Sequence, residues 1–276
     1  MSTNSPTPHD SPREPQHEAQ REAQRRGSAA TEKPRPHAVQ LCPPPRLAPL
    51  VVLAAIGAAI VGVMGAFLHD SSFDLAVTQA ANSALTGGWR DAFDAIYATL
   101  QGRNLPFIVL GIVAGIMLLS RRIIRPAIAA LTIGSTWVLV FIPKALVGRP
   151  RPDWDHLAHP PATLPSDMSF PSGHTTFTTV TVVVIFILIH RGLDASSPRS
   201  QRGPVAYVAA GILGAGGIAI IVATVLTRGV HFSTDAAGAM IFSVTLTPLV
   251  WALWEHLAYR LLGGGHTPDP GKSAVA

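Results

Sequence analysis

The chain has 276 residues, of which 48% are hydrophobic and only 13% charged, with a formal net charge of +5. So little charge beside so much apolar side chain argues against an ordinary soluble domain and makes lipid the expected solvent. The positive balance does not indicate nucleic acid, because the basic residues of the N-terminal stretch are interleaved with Glu14, Glu18, Glu22 and Glu32; attraction to anionic lipid explains it more simply.

Residues 1–45, rich in Pro, Ser, Gln and charge, cannot build a core and are expected to form a disordered cytoplasmic tail. The first apolar run, Ala48 to Leu68, starts too deep in the chain and is too long for a cleaved signal peptide, so it reads as an uncleaved anchor. Phe73 to Leu100 mixes apolar, small and polar residues at spacings partly compatible with an amphipathic helix, and Gly87-Gly88 interrupts it. That pattern predicts an interfacial helix or two short ones on the outer surface. Five further apolar runs follow: Leu105 to Ser120, Ala127 to Ile142, Thr175 to Ile189, Val205 to Leu226 and Ala236 to Leu257. The expected architecture is all-α, a six-transmembrane helix bundle over residues 46–262, with a flexible cytoplasmic tail at 263–276. Trp251, Trp254 and Tyr259 fit an aromatic belt at the inner end of the sixth span. Cys42 is the single cysteine, which excludes an intrachain disulfide and a thiolate metal site.

Lysine and arginine are retained on the cytoplasmic side during insertion. Placing both termini inside puts most of the 21 basic residues there, including Arg121, Arg122 and Arg125 in one connection and Arg191, Arg199 and Arg202 in another. Lys144, Arg151, Ser172, His174, Arg228, His231 and Asp235 then all fall at helix ends on the extracytoplasmic face. An even number of spans separates the loops of His174 and His231, so the two imidazoles share a face in either orientation.

These residue types suit phosphoryl transfer, which requires fixed cations for the negative oxygens, an in-line nucleophile and a proton for the leaving group. Lys144 ends the third span and Arg151 follows it; a guanidinium grips two phosphate oxygens where an ammonium supplies a compact charge. A basic membrane-edge anchor is the plainer reading of this pair. Pro171-Ser172-Gly173-His174 precedes the fourth span, where unpaired N–H groups and the helix dipole favour an anion, Ser172 can cap the helix and Gly173 permits close approach. Alone, such a tetrapeptide is also an ordinary helix start. His231 and Asp235, four residues apart, stack on one helical face, so the carboxylate can hold one ring nitrogen protonated and leave the other free to attack phosphorus. Asp235 is equally an ordinary first-turn acid. Asp155, His156, His159 and Asp167 in the outer loop match no strong metal-ligand spacing.

Lys144 to Pro152 fits K-x6-R-P, Pro171 to His174 is PSGH, and His231 to Asp235 supplies H-x3-D. Together they resemble the three motifs of the type 2 phosphatidic acid phosphatase (PAP2) superfamily, which includes lipid phosphate phosphatases, polyprenyl diphosphate phosphatases and vanadium haloperoxidases. The resemblance spans roughly Phe73 to Leu257. It implies a membrane phosphatase in which Lys144, Arg151 and Arg228, with Ser172 and Gly173, bind the terminal phosphate of a lipid phosphate or polyprenyl diphosphate. His231, oriented by Asp235, attacks to form a phosphohistidine, and His174 protonates the leaving oxygen, without metal or cofactor. Membrane lipids are the surroundings, and the oligomeric state stays open. The family's third motif usually carries serine and arginine where this chain has Thr224 and Val225; Thr227-Arg228 stands three residues before His231 instead. The rival expectations are a non-catalytic lipid-phosphate binding or transport protein and a vanadate-dependent oxidant.

Overall fold

In the computed structural model the described residues are 44–101, 103–120, 123–161, 165–196 and 203–262. They form helices α1 (Leu47–Leu68), α2 (Leu75–Ala84), α3 (Gly88–Thr99), α4 (Leu105–Ser120), α5 (Ile124–Leu139), α6 (Phe141–Val147), α7 (Gly173–Ser196), α8 (Gly203–Thr227) and α9 (Ser233–Leu262), and no strand occurs among them. A 3-10 turn, Trp154–His156, interrupts the loop before α7. The expected N-terminal tail, save residues 44 and 45, and the C-terminal tail lie outside the described residues.

Among the described residues, five stretches are long and apolar enough to cross a membrane: Leu47–Leu68, Ile124–Val147, Gly173–Arg191, Gly203–Thr227 and Ser233–Leu262. In hydrocarbon a backbone must satisfy its own polar groups, which is why such runs are helical. Their outward side chains are large and apolar, as at Phe67 (80% exposed) and Leu213 (75%), a surface that only lipid tolerates. The protein is a multi-pass membrane protein. The expected second span, α4, is apolar, but its 16 residues reach only about 24 Å at 1.5 Å per residue, short of a hydrocarbon core of about 30 Å.

The span expected at Ala127 to Ile142 begins earlier and is broken. α5 ends at Leu139, and α6 restarts at Phe141 and continues to Val147. Pro143 is the physical reason: it has no N–H for the Leu139 carbonyl and its ring crowds that turn. Lys144 therefore sits inside a short terminal helix. Gly148, at φ +63°, ends α6 and donates its N–H to the Lys144 carbonyl (3.0 Å), a left-handed cap that glycine adopts without strain.

α9 is the central element and packs against α1, α5 and α7; α8 packs on α7, while α2 and α3 lean on α8. The main core joins Ile128, Ala129 and Ile133 of α5 to Phe177, Val180 and Val184 of α7 and Trp251 of α9. Trp251, expected at a headgroup layer, is thus buried, whereas Tyr259 is exposed. A second cluster holds Phe170 against Val61 and Leu68 of α1. Phe170 also lies so close over Gly238 of α9 that a Cβ there would come 2.4 Å from the ring, and this contact anchors the segment leading into α7. The amphipathic stretch after α1 is two short helices, divided at Gly87 (φ +60°).

Candidate active site

A cavity of about 360 Å³ opens where α6 ends, α7 begins and the α8–α9 turn comes together. Lys144, Arg151, Asp167, Gly173, His174 and His231 supply its polar side; Tyr97, Leu100, Leu105, Trp137 and Phe141 supply an apolar wall. Five of the eight residues singled out in the sequence therefore line one space. Asp235 and Ser172 stand directly behind it, and Arg228 lies elsewhere.

His231 is fixed at both nitrogens. Nδ1 is 3.3 Å from Asp235 Oδ2, and Nε2 is 3.4 Å from Arg151 Nη1. A guanidinium can only donate, so Nε2 is the acceptor and Nδ1 carries the proton toward the carboxylate. Burial, the largest influence, and the Arg151 charge push the imidazole down to about 4, while Asp235 pulls the other way; the ring is neutral at pH 7. Asp235 is itself held by the Phe232 N–H (2.8 Å), the Ser169 hydroxyl and Arg149 Nη1 (2.8 Å). Gly229, at φ +67°, turns the chain out of α8 so that Val230 and His231 face inward.

The two cations share a carboxylate. Lys144 Nζ, buried, is 2.9 Å from Asp167 Oδ2 and donates to the Met168 carbonyl. Arg151 Nη2 is 2.5 Å from Asp167 Oδ1, its Nε donates to the Asp167 carbonyl (2.9 Å) and its Nη1 to that of Val230. Burial works against the ionised form of Asp167, but Lys144 and Arg151 outweigh it and hold the carboxyl at about 2.

Ser172 caps α7: its hydroxyl accepts from the Thr175 hydroxyl (3.0 Å) and N–H (3.4 Å), and its own N–H donates to the Asp235 carbonyl (3.1 Å). Its Oγ is thus engaged within the helix start, and Gly173 presents backbone to the cavity. The His174 ring stacks at 4.4 Å on Tyr97, tilted by 31°, and its buried Nε2 has no hydrogen-bond partner among the described residues.

Arg228 pairs with Asp94 of α3 and lies 4.4 Å over the Tyr97 ring, outside the cavity lining. Val225, where the family's arginine would stand, is fully buried in an apolar cluster with Tyr97 and Val230. Sequence reasoning also missed Arg149, Asp74 and Tyr97, and placed Asp167 only in a weak metal pattern. Among the described residues no three His, Cys, Asp or Glu gather as a metal group; His156 instead faces Asp153 (2.8 Å).

Fold and cavity define a membrane-embedded helical protein with imidazoles and fixed cations at the end of the bundle. Residues 125–259, which hold the cavity-lining Lys144, Arg151, Gly173, His174 and His231, match the PAP2 superfamily model. The crystal structure of the first transmembrane PAP2 type phosphatidylglycerolphosphate phosphatase from Bacillus subtilis shares the fold: TM-score 0.55, 21% identity, covering 75% of this chain and 96% of that one. No curated protein matches the sequence.

Proposed function

We propose that the protein hydrolyses a lipid phosphate or polyprenyl diphosphate through a phosphohistidine. The observation that carries this reading is the meeting of His231, His174, Lys144 and Arg151 around one cavity whose other wall is apolar. The terminal phosphate displaces the Asp167 carboxylate and takes its place between Lys144 and Arg151, helped by the backbone at Gly173. His231 Nε2 attacks phosphorus; the N–P bond forms as the bond to the leaving oxygen breaks, and His174 protonates that oxygen. Water then attacks the phosphohistidine and gives its proton to His174 as the N–P bond breaks; inorganic phosphate leaves, and both histidines are regenerated. No step of this sequence is routed through a metal.

The apolar wall, with Trp137 and Phe141, suits a substrate whose chains stay in hydrocarbon. Phosphatidic acid, phosphatidylglycerol phosphate and undecaprenyl or another polyprenyl diphosphate all fit that geometry. With both termini cytoplasmic, the site works on the outer leaflet of the plasma membrane, and α4 serves as a short sixth span. The test is phosphate release by purified protein from these three lipids. His231→Ala abolishes it and His174→Ala lowers it by about 10²–10⁴; turnover unchanged in both variants rejects the assignment. The pairing of Arg228 with Asp94 favours one alternative, a lipid-phosphate binder without turnover, which shows saturable binding of those lipids and no phosphate release.

A further inference from the structure

Behind the His231 imidazole lies a buried ionic chain that none of the three motifs describes. Arg149 is fully buried and lies between two carboxylates. Its Nη1 donates to Asp235 Oδ1 (2.8 Å) and Thr234 Oγ1 (2.7 Å); its Nη2 donates to Asp74 Oδ1 (2.9 Å) and the Ser71 carbonyl (2.8 Å). The guanidinium also lies 3.9 Å over the Phe232 ring, the neighbour of His231. Asp74, from the loop before α2, uses its second oxygen on the Thr234 N–H (2.9 Å), the Thr234 hydroxyl (2.8 Å) and the Ser233 hydroxyl (3.0 Å) at the start of α9.

Two carboxylates face one guanidinium here, which leaves one negative charge to be met by the imidazole. A buried carboxylate that keeps a single cationic partner would hold a proton on that imidazole. Arg149 takes one oxygen of Asp235 and leaves the other to His231, so the geometry aims the ring and also limits how strongly it is pulled toward the imidazolium.

We propose that Arg149 and Asp74 are positioning residues for His231: Arg149 divides the Asp235 carboxylate between itself and the imidazole, and Asp74 anchors Arg149 to the start of α9. The proposal rests on His231 being the nucleophile of the phosphatase reading. A lysine cannot replace Arg149, because four donors in a planar fork reach four acceptors on two separate segments of chain.

The charged and titratable groups that face His231 from the packed elements are Asp235 of α9, Arg151 and Asp167 of the loop before α7, Lys144 of α6 and His174 of α7. None of these side chains is removed when Arg149 is changed, so the variants probe the ionic chain behind the ring. The measurement is the titration of His231 in ¹⁵N-histidine-labelled full-length protein in detergent, assigned by its loss in His231→Ala, beside the pH profile of phosphate release.

Arg149→Gln leaves Asp235 to the imidazole alone, and the His231 midpoint rises by one pH unit or more, on the order of the effect of one close opposite charge. The double variant Arg149→Gln/Asp74→Asn, which removes one charge of each sign and is the fold-preserving control, shows the same rise. Asp74→Asn alone, which keeps Arg149 on Asp235, shows none. Arg149→Lys brings the midpoint back toward wild type while turnover stays low. Folded Arg149-lacking variants with an unmoved His231 midpoint overturn the proposal, whatever their stability. A moved midpoint in a protein that releases no phosphate from any lipid upholds the positioning role and sinks the phosphatase reading. Phosphate release that needs His231 with an unmoved midpoint does the reverse.

Discussion

In the proposed function a phosphate replaces Asp167 between Lys144 and Arg151, so Asp167→Asn should make the protein bind anions more tightly. The carboxyl is held at about 2 rather than its ordinary 3.8, which at 1.36 kcal/mol per pH unit is about 2.4 kcal/mol. Its side chain is 44% exposed, and solvent screening of such a group brings the figure to about 1 kcal/mol. Removing that competing contact therefore tightens binding about fivefold. The assay is the inhibition constant of orthovanadate against phosphate release, with calorimetric binding of inorganic phosphate as a measure free of turnover. If Asp167 instead serves to hold Lys144 and Arg151 in place, the variant binds both anions more weakly. An unchanged or raised constant refutes the reasoning.

Other outcomes follow from the same geometry. Asp235→Asn offers one acceptor to donors from Arg149, Phe232, Ser169 and His231; breaking a buried pair costs about 3–5 kcal/mol, so both thermal stability and kcat fall sharply, read by melting and phosphate release. Gly238→Ala forces a Cβ into the Phe170 ring, an overpacking of about 1–3 kcal/mol, and lowers the melting temperature in detergent by several degrees while disturbing the start of α7. The folded state holds His231 at about 4 and the unfolded chain near 6.5, so the unfolded chain takes the proton first. The stability contributed by the neutral ring is complete above 6.5 and is lost as pH falls toward 4, whereas the acid limb of kcat/KM lies near 4; denaturant midpoints and a pH–rate profile check the two signs.

The helices and the cavity-lining motif residues were legible because their signals are local. Runs of Leu, Ile, Val and Ala announce helices, and Lys144, Arg151, Pro171 to His174 and His231 to Asp235 fall in short ordered segments. The break at Val140 had a visible cause in Pro143, but the polar limit of the run at Lys144 concealed the added turn. Arg149 lay inside the motif as a spacer. The pair of arginines in Gly148-Arg149-Pro150-Arg151 was the only clue that one faces the cavity and the other inward. Asp74 and Asp94 were beyond reach, since each meets its partner across 75 or more residues and no periodicity encodes that. Arg228 shows the same limit: its spacing to His231 suggested the phosphate, and only the position of α3 reveals Asp94 and Tyr97 as its partners.

Phe141 lines the cavity and is also 46% exposed on the outer surface of the bundle. A lipid that enters past that wall arrives by lateral diffusion in two dimensions. The Michaelis constant of such a protein belongs in mole fraction of the bilayer, and diluting the substrate with inert detergent at fixed total lipid should slow turnover even though its molarity in the tube is unchanged.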